Sequence, residues 1–195
     1  MRILQLSTHT TLVPQHGGKL RSHHIGRVIE EAGFDLRRLA ICFRTPEDLD
    51  DAREPIVDVG LTSFWGSAAH RAYGEAGAYT SDYLSTIAAL DTPSLLVAFD
   101  TAFQQIAPDL VLLEHPWTWP LIERYPEIRS RRIRVIYSSQ NVELHLKRAI
   151  LLRQEIAPPP GLLEDIERLE RGLVAHADAT IACTEADACL LYTSP

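Results

Sequence analysis

The chain has 195 residues, room for one full domain and too few for two of ordinary size. Apolar residues make up 46% and charged residues 23%, which excludes a disordered chain, a collagen-like rod and a coiled coil. With 19 Lys and Arg against 26 Asp and Glu, the formal net charge is −7; the broad positive field of a duplex-DNA binder is missing, and no nucleic-acid partner is expected.

Arg2 to Leu6 is a short apolar run that predicts a strand. A polar stretch rich in Thr and His follows, with Pro14 and then Gly17-Gly18. Leu20, His24 or Ile25, Val28, Ile29 and Ala32 recur at steps of three and four and predict a helix. Gly33 stands where its C-terminal cap belongs, and Phe34 to Phe43 reads as a second strand. Together these form one βαβ unit.

Residues 44–66 carry Pro46, Pro55 and an acidic stretch, and read as loop with one short strand around Ile56 to Val59. Residues 67–90 are Ala-rich and predict helix broken at Gly74 and Gly77. Leu95, Leu96, Phe99, Phe103 and Ile106 form a helical stripe that Pro108 ends. Asp109 to Leu113 is a continuous apolar run, the pattern of a buried parallel strand. A short helix is expected over Trp117 to Arg124, after Pro116, and a strand over Arg134 to Tyr137. Leu162 to Ala175 is a charged amphipathic helix, and Ala179 to Cys183 a further strand. Thr184 and Asp187 have the spacing of a capping box.

Strands alternating with helices give an α/β fold, a layered and mostly parallel sheet. Ligands of such sheets sit outside the carboxyl ends of the strands. That rule selects the loops Ser7 to Gly18, Glu114 to Trp119, Ser138 to Glu143, and Thr184 onward. Cys42, Cys183 and Cys189 form no CxxC pair and are expected as free thiols in a reducing cytosol. The N-terminus lacks the form of a signal peptide, and no run approaches the ~18 apolar residues of a membrane span.

Gly17 and Gly18 would let main-chain amides approach a phosphate at a helix N-terminus, with Lys19 and Arg21 nearby; a plain tight turn explains the pair equally well. His115, at the end of a buried strand, can hydrogen-bond a sugar or move a proton. Trp117 and Trp119 can stack on a sugar, though core packing is the preferred reading of each. His9, His16, His23 and His24 have no carboxylate among them, so hydrogen-bonding or solvated histidines are expected rather than a metal site. Ser138 to Glu143 (SSQNVE) is a polar run suited to hydroxyl recognition, because amides both donate and accept. Glu143 also fits the acid of a helix first turn. No Ser-His-Asp arrangement or GxSxG elbow is present, and no catalytic residue is named.

MRILQLS, then GGKLRSHHIGRVIEEAGFDLRRLAI, DLVLLEHPW, RVIYSSQNVE and LERGLVAHADATIACTEAD together resemble, in order and spacing, the N-terminal domain of the family 4 glycosyltransferases. These are retaining enzymes of GT-B fold. The last stretch carries Glu170, Ala177-Asp178, Thr184 and Asp187 at the family's pattern, and the resemblance spans residues 1 to about 188. It implies a Rossmann-like sheet with helices on both faces, the N-terminal half of a GT-B fold. It implies no metal or organic cofactor, and a nucleoside-diphosphate sugar as co-substrate. Gly17 and Gly18 would lie against the donor phosphates, with Arg21, His115, Gln140, Asn141 and Glu143 on the acceptor side of a cleft. Many relatives carry His where this chain has Gln140; Gln exchanges no proton near neutral pH, so hydrogen bonding to a sugar is the role implied there.

The acceptor would be a glycan, a lipid-linked sugar or a small molecule. A second, donor-binding domain is expected beyond residue 188, residues 189–195 read as a non-native tail without structure, and the fragment alone is expected to be inactive. A GT-B enzyme of nucleotide-sugar epimerase type, and a non-catalytic Rossmann-type module for nucleotides or glycans, remain open alternatives. So does a peripheral contact between the stretch Arg129 to Arg134 and anionic headgroups of the inner membrane face.

Overall fold

Ile3, Leu4 and Leu6 bury completely or nearly so, which makes Arg2–Ser7 the inner strand β1. The computed structural model describes residues 1–13, 17–44, 54–60, 71 and 73–193. Pro14, His16 and much of the acidic and Ala-rich stretch before Tyr73 lie outside them. After β1 come helix α1 (Gly17–Glu31), strands β2 (Asp35–Cys42) and β3 (Ile56–Asp58), and a single turn of 3₁₀-helix (Gly74–Tyr79). Helices α2 (Ser81–Asp91) and α3 (Pro93–Ile106) lead to β4 (Leu110–Leu113). Two short helices, α4 (Trp119–Ile122) and α5 (Pro126–Arg129), precede β5 (Arg134–Ser138). The chain continues through α6 (Glu143–Arg153), α7 (Leu162–His176), β6 (Ala179–Ile181) and α8 (Glu185–Thr193).

The six strands form one sheet in the order β3-β2-β1-β4-β5-β6, every neighbouring pair parallel. This is a Rossmann-like α/β sheet. The order runs one way from β1 through β2 to β3 and the other way from β4 to β6. The reversal therefore lies between β1 and β4, where Leu4 pairs with Val111 and Leu6 with Leu113.

Helices cover both faces, unequally. On one face α1 packs, setting Ile25 and Ile29 against Ile3, Leu36 and Leu112. The other face holds the main core, where Leu4, Leu6, Leu39, Ile41, Val111 and Leu113 meet Phe99, Phe103, Leu121 and Leu173. A smaller apolar cluster surrounds Trp117, with Tyr83, Leu84, Leu151 and Ile166. Trp117 and Trp119 are core residues, 0% and 5% exposed.

Gly33 caps α1 as expected, at φ 82°. Its N–H bonds Glu30 O, and Phe34 N–H bonds Ile29 O, the paired bonds of a Schellman motif. At the start of α8, Asp187 N–H donates to Thr184 Oγ1 at 3.0 Å. The Asp187 carboxylate accepts from the same hydroxyl at 2.8 Å, so the pair caps one helix amide without the full reciprocal box. Residues 189–193, expected to lack structure, are helical, and Leu191 packs in the main core. Of helix α6 only the first-turn acid, Glu143, was expected. Its local N-cap is Val142, which has no side-chain acceptor; its first amides are capped from α7 instead. Glu170 accepts Glu143 N–H at 2.9 Å and Leu144 N–H at 3.2 Å.

Gly26 sets how closely α1 approaches the sheet. A Cβ there would lie 2.7 Å from Arg38 Nη2 and 2.9 Å from Gln5 Oε1. Arg38, 5% exposed, is pinned by its two-point bond to Glu30. Gly26→Ala is expected to destabilise the chain by about 1–3 kcal/mol through overpacking, although alanine is the better helix former. Chemical denaturation of both proteins checks this, an unchanged midpoint being contrary to it.

Candidate functional site

Four polar segments gather at the carboxyl edge of the sheet, on both sides of the strand-order reversal. From β1 come Gln5 and, just beyond it, Thr8; from α1, Arg21 and Ser22; from β4, Glu114 and His115; from β5, Ser138 and Gln140. Parallel strands end at a common edge, which is why residues far apart in sequence meet there.

Glu114 lies at the centre, with no exposed surface. Its Oε1 accepts from Gln5 Nε2 at 2.8 Å, and its Oε2 accepts from Gln140 Nε2 at 3.2 Å. Arg21 Nη1 lies 3.5 Å from Oε2. Burial raises the Glu114 carboxyl above the ordinary value, while Gln5, Gln140, Arg21 and Ser22 pull it back toward the charged form. Arg21 Nη1 also donates to Ser138 Oγ at 2.9 Å. The motif Glu114-His115 was noticed in the sequence for its histidine; the glutamate turned out to be the hub.

His115 sits beside this cluster but does not open to it freely. It is 7% exposed, stacks on Trp117 with ring centroids 5.2 Å apart, and places Nδ1 3.2 Å from Thr8 Oγ1. Burial, with the charges of Lys147 and Arg21, brings its pKa down to about 3. It is a neutral imidazole across the physiological range, able to donate and accept one hydrogen bond each.

Gly17 is exposed and Gly18 half-buried, at the first turn of α1. A Cβ on Gly17 would meet nothing within 4 Å, so the chain's own packing does not require glycine there. The loop before α1 is held by Glu54, whose carboxylate accepts the N–H groups of Thr11 and Leu12. Asn141 is exposed, and its carbonyl accepts from Ser139 Oγ at 2.6 Å.

Glu143, expected on the cleft, is 2% exposed and faces inward. It shares a buried pocket with Lys147, Asp82 and Glu170, and burial pushes its pKa up to about 8. The reason is helical geometry. Glu143 opens α6, and Lys147, one turn on, points the same way into the cluster around Trp117. There Lys147 Nζ bonds both oxygens of Asp82 at 2.8 Å and lies 5.1 Å above the Trp117 ring.

Of the four histidines near the first loop, His16 lies outside the described residues. His23 Nδ1 lies 3.0 Å from Thr11 O, and His24 is exposed. The arginine stretch lies at the opposite, amino edge of the sheet, where Asp178 holds Arg131 at 3.0 Å and Arg134 at 3.5 Å. No helix among the described residues is long and apolar enough to cross a membrane.

With this geometry in view, the chain was compared with known proteins. No known family profile matches it, and no curated protein is detectably similar in sequence. Among solved structures it is similar to sucrose-phosphate synthase from Thermosynechococcus elongatus, with a TM-score of 0.61 and 12% identity. The match covers 97% of this chain and 44% of that one, so the chain spans less than half the length of the protein it resembles. At this identity the likeness establishes a shared fold.

The buried groups predict how stability depends on pH. His115 is neutral when folded but protonates near its ordinary 6.5 when unfolded, so stability is lost as pH falls from 6.5 toward 3. Glu143 acts in the opposite direction. It stays protonated when folded up to about 8 but ionises near 4.5 when unfolded, so stability is lost as pH rises between those values. Burial raises Glu114 and Glu170 as well, so each takes stability in the same direction as pH rises above its ordinary value. Thermal unfolding should therefore show a falling Tm from pH 6.5 to 8, and Glu143→Gln should flatten the fall by on the order of a few kcal/mol. A wild-type profile that rises over this interval would contradict the assignment.

Proposed function

We propose that the chain is the acceptor-side, N-terminal domain of a retaining glycosyltransferase of family 4 and GT-B fold, using a nucleoside-diphosphate sugar as donor. The observation that carries this reading is the convergence at the strand-order reversal of the first turn of α1 with Arg21, Glu114 and Gln140. The shared fold with sucrose-phosphate synthase supports it, since that protein is named for a sugar-phosphate product. The order and spacing of the matching sequence stretches supply the family.

In this reading the donor diphosphate rests at the first turn of α1, on the main-chain amides of Gly17 and Gly18. Two physical features favour an anion there. The free N–H groups and the helix dipole present positive charge. The first turn also has no acidic residue and carries Lys19, while Arg21, one turn in, lies between this turn and Glu114. Positive charge at this point would stabilise the leaving diphosphate as its bond to the sugar breaks. Gln140 hydrogen-bonds a sugar hydroxyl. His115, neutral and behind the cluster, shapes the wall and takes no proton. The acceptor is a glycan, a lipid-linked sugar or a small hydroxylated molecule, and catalysis draws further groups from a second domain.

Calorimetric titration of the chain with UDP, ADP and GDP tests the phosphate site. Gly18→Val sets a branched side chain against the first-turn amides and is expected to weaken the best-bound diphosphate about tenfold or more, the loss of roughly one good charge-assisted contact. Undiminished affinity in that variant would remove the diphosphate from α1.

A further inference from the structure

Ionised, Glu114 is an acceptor-only group with no exposed surface, and it faces two carboxamides. Gln5 Nε2 donates to Glu114 Oε1 at 2.8 Å and to the Ser22 carbonyl at 2.9 Å. Gln140 Nε2 donates to Glu114 Oε2 at 3.2 Å and to Ser22 Oγ at 3.1 Å. Both protons of each amide are thereby in use. A carboxamide is planar, so its oxygen lies on the other side of the terminal carbon from its nitrogen. Turning Gln140 over would set its oxygen against a carboxylate oxygen with no proton between them. Gln140 Oε1 has no hydrogen-bond partner among the described residues, and the residue is half-buried rather than closed off.

We propose that Glu114 is a positioning residue that sets the polarity of recognition at this site: it holds the Gln140 amide so that a ligand meets its carbonyl oxygen. The ligand group recognised there is consequently a hydrogen-bond donor, a sugar hydroxyl and not a phosphate or carbonyl oxygen. The identification of that donor as a sugar hydroxyl rests on the glycosyltransferase reading; the orientation of the amide does not.

The arrangement also fixes what a neutral isostere would do. In Glu114→Gln, Gln5 stays in place, because the Ser22 carbonyl still requires its N–H. The new amide oxygen accepts from Gln5, and the new NH₂ faces Gln140. Gln140 then turns over, accepts from residue 114, and presents its own NH₂ outward; the Ser22 hydroxyl rotates from acceptor to donor. One substitution reverses the polarity offered to the ligand without changing the shape of the site.

Two measurements on the ¹⁵N-labelled chain test this. The Gln140 NH₂ resonances are assigned by their disappearance in Gln140→Leu. In the parent they are expected to exchange slowly with water, and in Glu114→Gln about tenfold or more faster. Equal exchange in the two proteins overturns the positioning role. The second measurement uses UDP-glucose and its four monodeoxyfluoro analogues, in which fluorine replaces one sugar hydroxyl and can accept but not donate. One analogue should bind the parent about tenfold more weakly than UDP-glucose, the worth of one hydrogen bond. That analogue should recover its affinity relative to UDP-glucose in Glu114→Gln. An identical analogue pattern in the two proteins is contrary to the proposal. If the parent binds no UDP-glucose but the amide exchange changes as stated, the sugar reading falls and the positioning role stands. Should Glu114→Gln not fold, Gln140→Leu decides: it must lose the preference among the analogues while keeping UDP affinity, and retention of the preference rejects the acceptor role.

Discussion

A carboxylate with no access to water must be met by donors, and here it is met from three directions. Glu114 stands one residue past the end of β4, at the reversal of strand order. Gln5 of β1, Arg21 of α1 and Gln140 beyond β5 all turn toward it. Removing a charge from water is costly unless hydrogen bonds and an opposite charge replace the solvent. The need to satisfy this one group therefore orients three side chains from three elements, and those side chains are the polar lining of the candidate site. A catalytic or binding constellation is only as well placed as the groups behind it, and in this chain the group behind it is Glu114.

The close approach of α1 makes the arrangement possible. Gly26 brings the helix down onto Gln5 and Arg38, and the Ser22 carbonyl thereby comes within reach of Gln5. The opposite face of the sheet is covered by α2, α3, α4 and α7 and supplies most of the apolar core. The division suits the fold: a thick apolar layer on one side holds the strands, and a thin, polar-edged contact on the other aims α1 at the carboxyl edge. A second buried charge cluster, Lys147 with Asp82 and Glu143, lies behind Trp117 and braces the wall formed by His115.

The resemblance to sucrose-phosphate synthase and the local geometry make different contributions. The likeness concerns backbone architecture shared by many chemistries. The glycosyltransferase reading draws its substance from the polar groups at the sheet edge and from a helix N-terminus that carries Lys19 and, one turn in, Arg21. The neutral state of His115 follows from its burial beside Lys147 and Arg21.

Much of the fold was legible in the residues alone. Continuous apolar runs such as Leu110 to Leu113 can only be strands buried on both faces, and the three- and four-residue steps of α1 and α7 declare amphipathic helices. Gly33 marked a helix end because it enters the left-handed region without a Cβ penalty, and Pro108 because it has no N–H to continue a helix. Gln140, Arg21 and His115 were recognisable as polar residues near strand ends. Helix α6 was not, because its capping acceptor, Glu170, arrives from another helix. The burial of Glu143 and the central place of Glu114 were equally hidden: whether a carboxylate faces solvent or a partner depends on which elements lie against it. Local sequence thus determined where strands and helices begin and what each residue could do, since those follow from dihedral preference and periodicity. Only the tertiary structure decided which acid is enclosed, which amide end is presented and which histidine is neutral, because solvent exclusion and donor placement belong to the assembled sheet and not to any one segment.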